Sequence, residues 1–283
     1  MIISPSTYSG SRWFILFLLF FLISCQFFVH KQPKEYKLNR PKTKILSSKL
    51  AEISGICYIP DKKILLAISD DKGSVFALDS SGENERDYFG HPFAEPNDYE
   101  DIVQVDSIIY VLSSNGSIVG VNGEGQATTY NFTSNKKDDF ESMYYEPSVK
   151  SLITLCKSCA HEKKTGVRTA YRFNLTDKKF DAAPYYTIKI SDVNDAMKDA
   201  RTIFEPSAAA IHPVEKKLYI LSSAGKLLAV TDLKGKVEHA YRLNPALFPQ
   251  PEGITFAPNG DMYISNEAKR GKPSLLKFTF REK

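Results

Sequence analysis

The sequence predicts an all-β protein, a β-propeller of about five blades. Three observations predict it. After residue 45 helical periodicity is nearly absent, and short β-rich runs such as Ile64–Ile68, Ile108–Leu112, Leu218–Leu221 and Met262–Ile264 recur between Gly, Asp, Asn and Lys turns. An eight-residue frame also recurs. Ile53-Ser-Gly-Ile-Cys-Tyr-Ile-Pro60 aligns with Pro251-Glu-Gly-Ile-Thr-Phe-Ala-Pro258, Pro206-Ser-Ala-Ala-Ala-Ile-His-Pro213 and Phe140-Glu-Ser-Met-Tyr-Tyr-Glu-Pro147, and Tyr99-Glu-Asp-Ile-Val-Gln-Val105 fits without the closing Pro. Finally, the second position of the frame (Ser54, Glu100, Glu141, Ser207, Glu252) repeats at intervals of 46, 41, 66 and 45 residues. A period in the forties with about four strands per unit is propeller spacing.

Each unit has the same parts. The frame is the first strand. A second strand ends in a polar cluster: Ser69-Asp70-Asp71, Ser113-Ser114-Asn115, Cys156-Lys157-Ser158, Ser222-Ser223-Ala224 and Ser265-Asn266-Glu267. A third follows at Val75–Leu78, Ile118–Val121, Ala170–Phe173, Leu227–Val230 and Leu275–Phe278. The long interval holds insertions near 158–168 and 191–204, of which Ser191–Ala200 reads as a helix capped by Ser191. The segment Tyr36–Leu46 either closes the ring against the C-terminal unit or begins a sixth blade. An α/β barrel would need amphipathic helices between the strands, and the sequence has none at that spacing.

The N-terminus reads as an address. Arg12 precedes the apolar run Trp13–Leu22, which ends at Leu22-Ile-Ser-Cys25, the pattern of a bacterial lipobox. The expected organisation is a signal peptide over 1–24, a lipidated Cys25 with a basic linker over 25–44, and the propeller over 45–283. The alternative is an uncleaved anchor, because Phe27, Phe28 and Val29 extend the apolar stretch. Against it, the positive charges follow the stretch, whereas for an anchor with its domain outside they should precede it. Both place the domain outside the cytoplasm, held to membrane lipid in a bacterial envelope.

With 42% hydrophobic and 25% charged residues, a disordered chain is excluded. The net charge of +4 is unevenly spread. Residues 1–30 carry only Arg12, and residues 31–44 carry six basic groups (Lys31, Lys34, Lys37, Arg40, Lys42, Lys44) against Glu35, which leaves residues 45–283 at −2. That excludes a nucleic-acid footprint across the domain. Cys57 lies in an apolar run and reads as a small buried hydrophobe. Cys156 and Cys159 form a C-x-x-C that lacks the strand-to-helix setting of a redox motif, the adjacent His of a haem site and a second ligand pair for zinc. A local disulfide is the simplest reading outside the cytoplasm. No H-E-x-x-H, G-x-S-x-G or Walker loop is present.

Propeller geometry puts the first strands around a central channel, with the second frame positions and the ends of the second strands at one mouth. Three of the five frame residues are Glu: Glu100, Glu141 and Glu252. Carboxylates crowded in a narrow channel either take up protons or hold a cation. An all-oxygen set suits a hard cation, and outside the cytoplasm Ca²⁺ is the one expected. Ser54, Asp70, Lys157, Ser207, Asn266 and Glu267 are further site candidates. Asp98, Asp101 and Asp139 offer additional oxygens, and Lys157 offers a competing partner for one Glu. Tyr58, Tyr144, Tyr145 and Phe256, further along the first strands, are expected to pack between blades.

The ordered set Glu52-Ile-Ser-Gly-Ile56, Ser69-Asp-Asp71-x-Gly73, Asp98-Tyr-Glu-Asp-Ile102, Asp139-Phe-Glu141, Pro206-Ser-Ala208, Leu221-Ser-Ser223, Gln250-Pro-Glu-Gly-Ile254 and Asn266-Glu267 resembles the SdiA-regulated family of bacterial envelope proteins, over roughly residues 36–280. The resemblance implies a propeller of about five blades related to NHL-repeat proteins, and a calcium site carried here by Glu100, Glu141 and Glu252. Ser142 departs from the Gly expected after Glu141. The family brings no settled activity. The expected function is therefore a tethered, calcium-binding module for an unknown ligand or envelope protein, without catalytic residues. The alternative is a calcium-dependent hydrolase of lactonase or phytase type, and a scaffold in an envelope complex is a third reading.

Overall fold

The computed structural model describes Met1 and residues 32–133, 135–269 and 271–282. The apolar run and Cys25 lie outside the described residues. Within them, no helix is long and apolar enough to cross a membrane.

The strands form five antiparallel sheets. Blade 1 contains β2 (Ile53–Ile59), β3 (Ile64–Ser69), β4 (Lys72–Asp79) and β5 (Glu85–Asp87). Blade 2 contains β6 (Tyr99–Val105), β7 (Ile108–Ser113), β8 (Ile118–Val121) and β9 (Ala127–Tyr130). Blade 3 contains β10 (Asp139–Glu146), β11 (Ser151–Ser158), β12 (Val167–Asn174), β13 (Lys179–Phe180) and β14 (Tyr186–Lys189), the last two both paired with β12. Blade 4 contains β15 (Ala208–Ile211), β16 (Leu218–Ser222), β17 (Leu227–Thr231) and β18 (Val237–Arg242). Blade 5 contains β19 (Pro251–Phe256), β20 (Met262–Asn266) and β21 (Ser274–Phe278), and its fourth strand is the N-terminal β1 (Lys42–Ile45), paired with β21 from Lys42–Lys277 to Ile45–Ser274. The N-terminal segment thus closes a ring of five, and no sixth blade begins there.

The first strands of the blades touch one another around the ring: β19 meets β2, β2 meets β6, β6 meets β10, β10 meets β15, and β15 meets β19. One apolar cluster fills each gap between blades. Ile68 and Val75 meet Ile102 and Val111 between blades 1 and 2, for example, and Leu155 and Ala170 meet Leu218 and Ala229 between blades 3 and 4. Because both faces of each sheet are covered, strands such as β16 are buried throughout. That explains why they read in the sequence as continuous apolar runs rather than alternating ones. Tyr58 stacks on Tyr263 at 5.8 Å, Phe256 packs on Tyr219 at 5.3 Å, and Tyr144 joins Ala209 and Leu218 of blade 4 in one cluster, so these rings do pack between blades.

Side chains stitch the inner strands together. Asp101 Oδ2 accepts from Met143 N at 2.7 Å, Ser265 Oγ donates to Ser54 O at 2.8 Å, Ser207 Oγ donates to Pro251 O at 2.9 Å, and Tyr58 N donates to Thr255 Oγ1 at 3.0 Å. Gly55 is required where this stitching is tightest. A Cβ there would stand 2.6 Å from the Asp101 Cα.

Two expectations change. The helix runs from Ile190 to Met197 rather than over 191–200, and it starts at Lys189 without a side-chain cap, because β14 leads straight into it. Ser191 is inside the helix and bonds Asp192 instead. The basic linker is also shorter than expected. Tyr36 and Leu38 are 1% and 3% exposed in the core between blades 4 and 5. The Tyr36 hydroxyl bonds His212 Nε2 at 2.7 Å and donates to Gly260 O at 2.5 Å. Residues from Tyr36 onward therefore belong to the propeller. Tyr36→Ala should cost about 3 to 5 kcal/mol in urea unfolding, as for a buried aromatic; an unchanged midpoint would return this segment to the linker.

Candidate functional site

The channel mouth is built by a repeated irregularity. In four blades the ladder between first and second strands slips at the second frame position: between Ile53 and Ile56, Tyr99 and Asp101, Phe140 and Ser142, and Pro251 and Gly253. The skipped residues are Ser54 with Gly55, Glu100, Glu141 and Glu252. A bulge leaves its residue out of the ladder and re-aims the side chain. In blade 4 the equivalent Ser207 lies just before β15, with its N bonded to Leu221 O.

The three Glu share one electrostatic neighbourhood. Burial, then the charges of Glu141 and Asp98, raise Glu100 to about 10. Burial and Glu252 raise Glu141 to about 8, against the pull of Lys157. Burial raises Glu252 to about 7, opposed by hydrogen bonds from Ser223 and Gln250 and by Lys157. The neighbourhood extends further round the ring. Glu267 rises to about 8 through burial and a carboxyl–carboxyl hydrogen bond with Glu52, and it also feels Glu252 and Asp70. Asp70 rises to about 6 through burial, Glu52, Asp71 and Asp98. The acidic field therefore runs from blade 1 through blades 2 and 3 to blade 5.

The other sequence candidates divide. Ser207 is a structural stitch, since its Oγ donates to Pro251 O and accepts from Ser223 N. Ser54 is buried and engages through its carbonyl. Lys157 pairs with Glu141 and lies 3.6 Å from Asp139 Oδ2. Gln250 donates to Glu267. Asp101 belongs to the stitching, its oxygens taken by Ile102 N and Met143 N. Glu52 and Gln250 were not among the sequence candidates for the site. Their signal was available: the residues two before each second position are Glu52, Asp98, Asp139, Glu205 and Gln250, a second polar tier of four acids and one amide.

Cys156 and Cys159 form the local disulfide, with Cα atoms 5.9 Å apart. Cys57 is a free, half-buried thiol, pushed up to about 11 by burial and accepting from Gln104 N at 3.5 Å. It lines the far end of the channel with Ile56, Val103, Tyr145, Ile211 and Thr255, around a cavity of about 280 Å³. The channel is thus acidic at one end and largely apolar at the other.

The donor chemistry of the mouth fits a hard cation. The groups acting on the raised carboxyls are other carboxyls, two lysines, Ser223 and Gln250. Three buried oxygens there have no partner: Asp70 Oδ1, Gln250 Oε1 and Asn266 Oδ1. Orphaned buried acceptors are rare and need a donor or an ion. The spacing is open, however. Among the described residues no three mouth carboxylates bring oxygens within 4.8 Å of one another. The two groups that do, Asp138–Cys159–His161 and Cys156–Cys159–Glu162, both use a disulfide sulfur.

The comparisons agree with this architecture. The profile of the SdiA-regulated family matches residues 30–271. The chain belongs to the SdiA-regulated family. Its sequence matches no curated protein. Among solved structures it is similar to regucalcin, a calcium-binding protein from Agrobacterium tumefaciens, at 11% identity and a TM-score of 0.52, covering 88% of this chain and 95% of that one. It is also similar to a luciferin-regenerating enzyme, at 8% identity and a TM-score of 0.51, covering 85% and 95%. At these identities the likeness is one of fold.

A carboxyl raised in the folded state holds its proton more tightly folded than unfolded. The stability this contributes is complete below the unfolded value of 4.5 and is lost as pH rises through the folded values of about 7 to 10. The thermal midpoint of the ion-free protein should therefore fall steadily from about pH 5 to about pH 9. Glu100→Gln should flatten the upper part of that slope, and an equally steep slope in the variant would contradict the assignment.

Proposed function

We propose that the acidic channel mouth binds a divalent cation, Ca²⁺ being the ion that fits, and that this propeller is a membrane-tethered, extracytoplasmic module that uses the mouth to bind a ligand or an envelope protein. The observation that carries the reading is the convergence of Glu100, Glu141 and Glu252 on one field through bulged positions, with unpartnered buried oxygens beside them. Glu100, Glu141 and Glu252 would hold the ion, with Asp70, Asn266 or Glu267 contributing at its edge. Oxygen-only donors favour a hard cation over zinc or copper. The ion would neutralise the ring and offer its remaining positions to oxygens of a ligand. The calcium-binding regucalcin has the same fold, which supports the choice of ion. A binding module is favoured over a hydrolase because Glu141, the natural candidate for a base, faces a positive partner in both states, Lys157 here and the ion once it is bound.

Calorimetric titration tests this. Ca²⁺ should bind the wild-type propeller with release of protons, and binding should weaken more than about tenfold in Glu141→Gln/Glu252→Gln, since two charges beside the ion are lost. Equal affinity in the double variant would overturn the assignment.

A further inference from the structure

The chain supplies a cation of its own at this mouth. Lys157 Nζ pairs with Glu141 Oε1, whose side chain is 13% exposed, and lies 3.6 Å from Asp139 Oδ2. Its backbone is pinned on both sides. Cys156 and Cys159 are 0% and 1% exposed and joined by the disulfide, Cys156 faces Phe140 in the β10–β11 ladder, and Cys156 Sγ lies 3.5 Å from Asp139 O. The four-residue loop Cys156-Lys-Ser-Cys159 therefore fixes where the lysine stem leaves the sheet. The other lysine of this neighbourhood, Lys226, has no carboxylate partner at contact distance among the described residues and donates its Nζ to Pro249 O at 2.7 Å instead.

We propose that Lys157 is a tethered counter-ion that occupies the Glu141 arm of the ring and has to leave it when a divalent cation enters, so that Lys157 sets the cation affinity of the mouth. This rests on the cation reading above. The physical argument is competition for one carboxylate. An ammonium and a divalent ion cannot share Glu141 in a half-buried site without strong mutual repulsion. The disulfide makes the competitor local, since the loop keeps the ammonium near the mouth after displacement. Lys157 is in this sense a residue that sets affinity rather than a ligand.

The test uses the full propeller as wild type, Lys157→Gln, Lys157→Arg and Glu141→Gln, with Ca²⁺ affinity measured calorimetrically and Lys157 acylation by an amine-reactive ester followed by peptide mass spectrometry. Lys157→Gln should bind Ca²⁺ at least about tenfold more tightly than wild type, and Lys157→Arg no more tightly, because charge rather than shape opposes the ion. Lys157 should acylate faster in wild type when Ca²⁺ is added, and faster in Glu141→Gln without any ion. Equal or weaker Ca²⁺ affinity in Lys157→Gln, or a Lys157 acylation rate unmoved by both Ca²⁺ and Glu141→Gln, overturns the proposal while leaving the mouth a cation site. Uptake of Ca²⁺ by neither wild type nor Lys157→Gln overturns the cation reading and the competition together.

Discussion

Like-charge crowding at one end of a five-fold channel is the constraint on which the rest of this structure depends. A propeller must bring the starts of its first strands together, and here that place holds Glu100, Glu141 and Glu252, with Asp98, Asp139, Glu52 and Glu267 around them. Such a group is unstable as free anions in a half-buried setting. The protein answers in three ways at once. Protons are held on raised carboxyls, the Lys157 ammonium is fixed beside Glu141, and Ser223 and Gln250 donate to Glu252. The first two neutralise charge, as a bound cation would, and the third stabilises an anion that remains.

The bulges tie this chemistry to the fold. A regular ladder would pair Glu100, Glu141 and Glu252 with a second-strand residue; instead the ladder skips each of them. The residues that follow resume the register and carry the inter-blade stitches, as Asp101 does for blades 2 and 3. Gly55 shows how little room that exchange leaves. The site and the closure of the ring are thus set by the same few residues of each inner strand.

Much of this was legible in the sequence, because a propeller repeats its local chemistry. The frame that returns every forty or so residues carries the strand order, the inner position and the Glu triad together. Lys157 and the Cys156–Cys159 pair were legible for a local reason, being adjacent on a strand end. The sequence was less informative where a contact joins distant segments. Tyr36 looks like part of a basic linker because its partners, His212 and Gly260, lie some two hundred residues away. Glu52 and Gln250 were hidden because the tier they form mixes Glu, Asp and Gln, and its shared spacing outweighs any one residue type. The charge balance shifts in the same way: part of the basic segment is the edge strand β1, where Lys44 lies 3.7 Å from Glu83, rather than a free leash.

A crystal structure of the propeller grown with Ca²⁺, or with a lanthanide of similar size for its anomalous signal, would show whether the acidic mouth takes up an ion. One ion is expected at the acidic mouth, with oxygens of Glu100, Glu141 and Glu252 drawn around it and the Lys157 ammonium withdrawn from Glu141. An ion bound elsewhere, or a mouth unchanged at saturating ion with Lys157 still paired to Glu141, would contradict that expectation.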